Sequence, residues 1–236
     1  MRRSTIQVCI VDDKLPNTEL QSEDFNYEKL IDSTKLERFL GPSVNWGAET
    51  HLKDLLTMIL KSKYYADKRI ELSWAIHPNI CLNAVNDSSF NPNVIIYDWE
   101  YIGSLGGPEV ALLRLLESTK ETFFFVYSHI AERIPIILYK KQLDKYSARL
   151  QLLRKGDEGY VYSSEEFIYQ YLVSLLEQNP TILIGGAEIQ FHESGFIKNP
   201  KDILYLESII GRRFILDRLK GINNDISDKT VERLLN

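Results

Sequence analysis

Five residues of chemically useful type stand at the ends of short apolar runs. Asp12 and Asp13 follow Ile6–Val11, Asp98 follows Val94–Tyr97, Ser128 follows Phe123–Tyr127, and Lys155 stands just beyond Leu150–Leu153. Clustered carboxylates repel one another and need a cation, and an all-oxygen donor set suits Mg2+. A carboxylate facing a phosphoryl donor can act as a nucleophile and form an acyl phosphate. The phosphoryl oxygens must be neutralised during transfer, a task that Mg2+, the Lys155 ammonium and the Ser128 hydroxyl can share.

That chemistry requires the five residues to meet, and the pattern between them supplies the means. The runs Ile6–Val11, Ile70–Ile76, Val94–Tyr97, Phe123–Tyr127 and Leu150–Leu153 read as strands. The first, third and fourth are continuous rather than alternating, as strands covered on both faces are. Helical patterns lie between them. Gly47–Lys61 carries Leu52, Leu55, Leu56, Ile59 and Leu60 on one face, with Asn45 as its cap. Pro108–Ser118 and Pro135–Tyr146 each open on a proline suited to a first turn. Ser164–Gln178 follows a capping box of Ser163 and Glu166, and its apolar positions return at helical spacing. Alternating strands and helices predict an α/β domain with a five-stranded parallel sheet, whose strands end together on one edge.

Composition sets the outer bounds. The chain has 236 residues, 44% of them hydrophobic, enough for one sizeable core and a small appendage. The formal charge of −5 argues against a surface built for nucleic acid. Cys9 lies inside an apolar run and Cys81 is isolated, which fits a reducing compartment and no disulfide framework. The N-terminus reaches two aspartates too soon for a signal peptide, and no run approaches a membrane span, so a cytoplasmic location is expected. Residues 14–46 read as an insertion with a short helix near Ser33–Leu40, either covering the site or decorating the surface. Residues 179–236 form an extension: Ile182–Ile184, a turn at Gly185-Gly186, then a helical pattern over Ile203–Leu219. Its acids and bases are equal in number, which speaks against a DNA reader and for packing, dimerisation or a partner surface. Gly103, Gly106 and Gly107 form no nucleotide-binding fingerprint, which would have to follow the first strand.

An acidic pair after the first strand, Asp after the third, Ser after the fourth and Lys after the fifth together resemble the response-regulator receiver domain. Asp98-Trp99-Glu100, then Gly106-Gly107-Pro108-Glu109-Val110 and a leucine-rich helix, are similar to the family's loop and helix after the phosphoacceptor. The resemblance covers roughly residues 6–178, within a receiver-like domain of 1–178. It implies a flavodoxin-like doubly wound sheet and Mg2+ bound by Asp12, Asp13, Asp98 and the backbone carbonyl of Glu100. It further implies phosphorylation of Asp98, with Ser128 and Lys155 touching the phosphate. The implied partners are a sensor histidine kinase or phosphorelay protein and an effector, with self-phosphorylation and autodephosphorylation rather than substrate turnover. Gly156 stands where the family usually has proline, Leu152 and Leu153 where many members carry an aromatic, and His129 where a small residue is favoured. These departures keep two alternatives open: a pseudo-receiver that binds a partner without phosphotransfer, and a Mg-dependent phosphohydrolase with an aspartyl nucleophile. His51, His77 and His192 show no metal-ligand spacing.

Overall fold

The apolar runs become the strands of one sheet. The computed structural model describes residues 4–16, 28–100, 107–129, 134, 146, 149–155 and 164–177, and the backbone of 181–184 and 187–190. In chain order these hold β1 (Ile6–Val11), β2 (Ile31–Asp32), α1 (Ser33–Leu36) with a 3-10 turn (Glu37–Leu40), α2 (Thr50–Leu60) and α3 (Lys63–Ala66). They continue with β3 (Ile70–Ala75), α4 (Pro78–Asn86), β4 (Val94–Asp98), α5 (Pro108–Ser118), β5 (Phe123–Ser128), β6 (Leu150–Arg154) and α6 (Ser164–Glu177). A hairpin follows, β7 (Thr181–Ile184) antiparallel to β8 (Ala187–Gln190).

Six strands lie in the order β2-β3-β1-β4-β5-β6. Five are parallel: Val8 pairs with Leu72 and Val94, Ile96 with Phe125, and Val126 with Leu152. The sixth, β2, runs antiparallel to β3, with Ile31 opposite Trp74. The expected five-stranded, wholly parallel sheet is corrected accordingly. The extra strand is two residues long, too short to show as an apolar run.

Side chains alternate between the faces of a strand, and β1 shows what each face meets. Ile6, Val8 and Ile10 join a cluster with Leu52, Leu55 and Leu56 of α2 and Phe167, Ile168 and Leu172 of α6. Cys9 and Val11 join a second cluster with Cys81 of α4 and Leu112, Leu115 and Leu116 of α5. Helices therefore cover both faces, which is why β4 and β5 read as unbroken apolar runs. Both cysteines are buried and free.

Part of the described length of the 14–46 segment packs into the core. Ile31, Leu36, Phe39, Val44 and Trp46 belong to the main core, and the Trp46 indole N–H donates to the Phe39 carbonyl at 3.0 Å. Burying one side chain such as Phe39 contributes about 1.5–3 kcal/mol.

Local signals account for most boundaries and mislead at one. The helix expected over Gly47–Lys61 spans Thr50–Leu60, and its cap is Glu49, which makes no side-chain capping bond. Asn45 instead accepts from the Gly47 amide at 2.9 Å, in a turn where Gly47 takes φ +55°. The sequence pattern missed α4, which begins at Pro78 under a cap from His77, whose Nδ1 accepts from the Asn79 amide at 3.0 Å. Ser163, most of the expected Pro135–Tyr146 helix, the Gly185-Gly186 turn and the expected helix over 203–219 lie outside the described residues. Among the described residues no helix is long and apolar enough to cross a membrane.

Candidate functional site

Parallel pairing brings the carboxyl ends of β1, β4, β5 and β6 to one edge. The chain leaves β1 for β3 on one side and takes up β4 on the other, so a switch point falls between β1 and β4, where open α/β sheets form their crevice. Asp12 follows β1, Asp98 ends β4, Ser128 ends β5 and Lys155 follows β6. All four are buried.

Asp12 is held through its backbone. Its amide donates to the Ala75 carbonyl at 3.0 Å, and its carbonyl accepts from the Trp74 indole at 2.6 Å. Its Oδ1 accepts from the Lys14 amide at 2.8 Å, a turn that aspartate favours after a strand. That leaves Oδ2 for Lys155, whose Nζ stands 2.7 Å away and also reaches Asp98 Oδ1 at 3.1 Å. Asp98 Oδ1 additionally accepts from the Glu100 amide at 3.0 Å. Asp98 Oδ2 is buried with no hydrogen-bond partner. Asp13 sits at the rim, a quarter exposed, its Oδ1 3.2 Å from Lys14 Nζ.

The electrostatics follow from one buried ammonium facing two buried carboxylates. Burial pushes Asp12 up to about 7, against the pull of Lys155 and with the push of Asp98. Asp98 is raised for the same leading reason, opposed by Lys155 and by the Glu100 amide. For Lys155 burial acts downward, but Asp12 and Asp98 together outweigh it and the ammonium is held above its ordinary value. The cluster is therefore short of positive charge.

Asp12, Asp13 and Asp98 each offer a carboxylate oxygen within 4.8 Å of the others. This is an all-oxygen donor set of the kind a hard cation takes, and Asp98 Oδ2 beside it has no hydrogen-bond partner. The structure thus brings together four of the sequence-predicted residues, Asp12, Asp13, Asp98 and Lys155. Ser128 joins them through its carbonyl, which accepts from the Lys155 amide at 3.0 Å. Glu100 joins through its amide and through its carboxylate, whose Oε2 accepts from the His129 amide at 3.0 Å.

No family model, curated protein or solved structure matches this chain.

Beside the carboxylates lies a second group of side chains, of which only His129 stood out in the sequence as a neighbour of the site. His129 is exposed, and its ring stands perpendicular to that of His51 at 5.1 Å. His51 is buried at the start of α2, with its Nε2 3.0 Å from Glu49 Oε2. The His51 ring holds the Glu49 carboxyl below its ordinary range. Tyr127 packs edge-on against His51 and donates its hydroxyl to the buried Glu165. Burial pushes Glu165 up to about 7. Glu49 and His51 are two positions apart, and His129 lies in another part of the chain, so no local spacing reveals the group. Topology offers the available signal, because the first turn of a helix reached from β1 opens on the same edge as the end of β5.

Proposed function

We propose that this chain is a receiver-type signalling module in which Asp98 accepts a phosphoryl group with the help of Mg2+. One observation carries the reading: Lys155 bridges the buried carboxylates of Asp12 and Asp98 at 2.7 and 3.1 Å while Asp98 Oδ2 is left without a partner. The strand order supports it. With β2 set aside, the parallel strands follow second-first-third-fourth-fifth, the order of flavodoxin-like doubly wound sheets.

In this reading Asp98 Oδ2 attacks the phosphorus of an acyl phosphate or a phosphohistidine. The new O–P bond forms as the donor's bond to phosphorus breaks, and the donor leaves with that electron pair. Lys155 remains beside Asp98 to offset charge on the phosphoryl oxygens, and Ser128 supplies a hydroxyl from the end of β5. Asp12, Asp13, Asp98 and the Glu100 carbonyl would hold Mg2+, which when bound neutralises the same oxygens. The donor would be a sensor histidine kinase or phosphorelay protein. The modification would shift the population between two surface conformations that an effector tells apart.

Lys155 also motivates a second reading. An ammonium already set between Asp12 and Asp98 neutralises part of their charge without any metal, as a pseudo-receiver that serves only as a binding module would need. A Mg2+ titration followed by tryptophan emission separates the two. Trp99 is buried next to Asp98, and the Trp74 indole is bonded to the Asp12 carbonyl. A saturable change is expected, weakened at least about tenfold in Asp13→Asn, a rim substitution that leaves the core intact. No saturable change in the wild type would remove the phosphoacceptor reading and favour the metal-free module.

A further inference from the structure

We infer that Glu49, His51 and His129 form a second metal site, one for a Zn2+-type transition ion, distinct from the carboxylate cluster. Each offers one ligand atom within 4.8 Å of the other two. The donor set is two imidazole nitrogens and one carboxylate oxygen. Such a mixed set suits Zn2+ and its neighbours rather than Mg2+, and three protein ligands leave a fourth position for water or a ligand.

The geometry is close to what such an ion needs. With metal–ligand bonds of about 2.0–2.1 Å, the ligand atoms of a tetrahedral site stand about 3.3 Å apart. Glu49 Oε2 and His51 Nε2 already face each other at 3.0 Å. Both atoms are buried, and among the described residues each has the other as its only polar partner, so two donor atoms already face one point. The remaining ligand, His129, has an exposed side chain that can turn toward the pair without disturbing the core. Its backbone is fixed by the bond from its amide to Glu100.

The surroundings of His51 add support. The Tyr127 ring lies edge-on to His51, and the Tyr127 hydroxyl is itself held by Glu165, so the imidazole stands against a fixed wall. Neither His51 nor Glu49 has a part in the phosphoacceptor reading, so this site stands or falls separately.

The test uses the full chain, stripped with chelator and titrated with Co2+ in excess Mg2+, with visible absorption as the readout. The expected result is a tetrahedral-type Co2+ spectrum that saturates at a single equivalent and is displaced by Zn2+. It should persist in Asp98→Asn and Asp13→Asn. Loss of an outer partner of a ligand costs about 10–100-fold in metal affinity, so loss of a ligand in His129→Ala or His51→Gln should cost at least about 100-fold. His129 is exposed, so its variant tests the site even if the buried His51 variant folds poorly. Absence of the spectrum in the wild type would overturn the inference. So would binding unchanged in His129→Ala but lost in Asp98→Asn, which would assign the metal to the carboxylates.

Discussion

Lys155→Met is expected to destabilise the fold by about 3–5 kcal/mol, the range seen when one partner of a buried ion pair is removed. The ammonium is buried between Asp12 and Asp98, and its loss leaves two buried carboxylates facing each other. Methionine keeps most of the side-chain volume, so the lost charge rather than a cavity decides the result. Two companion measurements identify the cause. Asp12→Asn added to Lys155→Met should recover part of the loss, because one of the two repelling charges is gone. Mg2+ should stabilise the Lys155→Met protein more than the wild type, because a divalent ion can replace the missing positive charge. Denaturant unfolding with and without Mg2+ reads all of these. A cost under about 1 kcal/mol, of the size measured for exposed pairs, would show that the three groups do not form a tight buried cluster.

A second large effect should appear in the dependence of stability on pH. Burial raises Glu165 from 4.5 to about 7, against the pull of His51 and with the push of Asp54. An acid whose pKa is higher in the folded state binds more protons there than in the unfolded chain over that interval, so stability falls as pH rises. The contribution is fully present below about 4.5, declines through the interval and is gone above about 7. Its size is about 3 kcal/mol, the free energy of raising the carboxyl from 4.5 to about 7. Glu165→Gln keeps an acceptor for the Tyr127 hydroxyl and removes the titration. The variant should match the wild type near pH 4 and exceed it by about 3 kcal/mol at pH 8. Asp12, raised to about 7 mainly by burial, adds a decline of the same sign in both proteins and cancels in the comparison. Equal pH slopes for the two proteins would show that Glu165 is charged in the folded state at neutral pH.

The carboxylate site was legible in the sequence because each of its residues is anchored to a strand end. Asp12, Asp98, Ser128 and Lys155 each close or follow an apolar run, and parallel strands must end on a common edge, so register alone brings them together. The histidine group was not legible for the opposite reason. Glu49 and His51 open α2 and His129 follows β5, and the three meet through tertiary packing that no local period encodes. The fold shows the same division. The long apolar strands and the leucine-rich α2 and α5 were readable from their patterns. β2 has two residues, and α4 buries only Pro78 and Cys81 fully, which leaves its apolar stripe too thin to register. The 14–46 segment reads as an insertion because it is polar overall, yet the few large residues at its end, Phe39 and Trp46 among them, enter the core.

The most direct test of the phosphoacceptor assignment is the intact mass of the full chain after incubation with acetyl phosphate and Mg2+, for the wild type and for Asp98→Asn. The assignment predicts a single phosphoryl adduct on the wild type, labile as acyl phosphates are, dependent on Mg2+ and missing from Asp98→Asn. An adduct that persists in Asp98→Asn, or no adduct under conditions that label a known receiver, would contradict it.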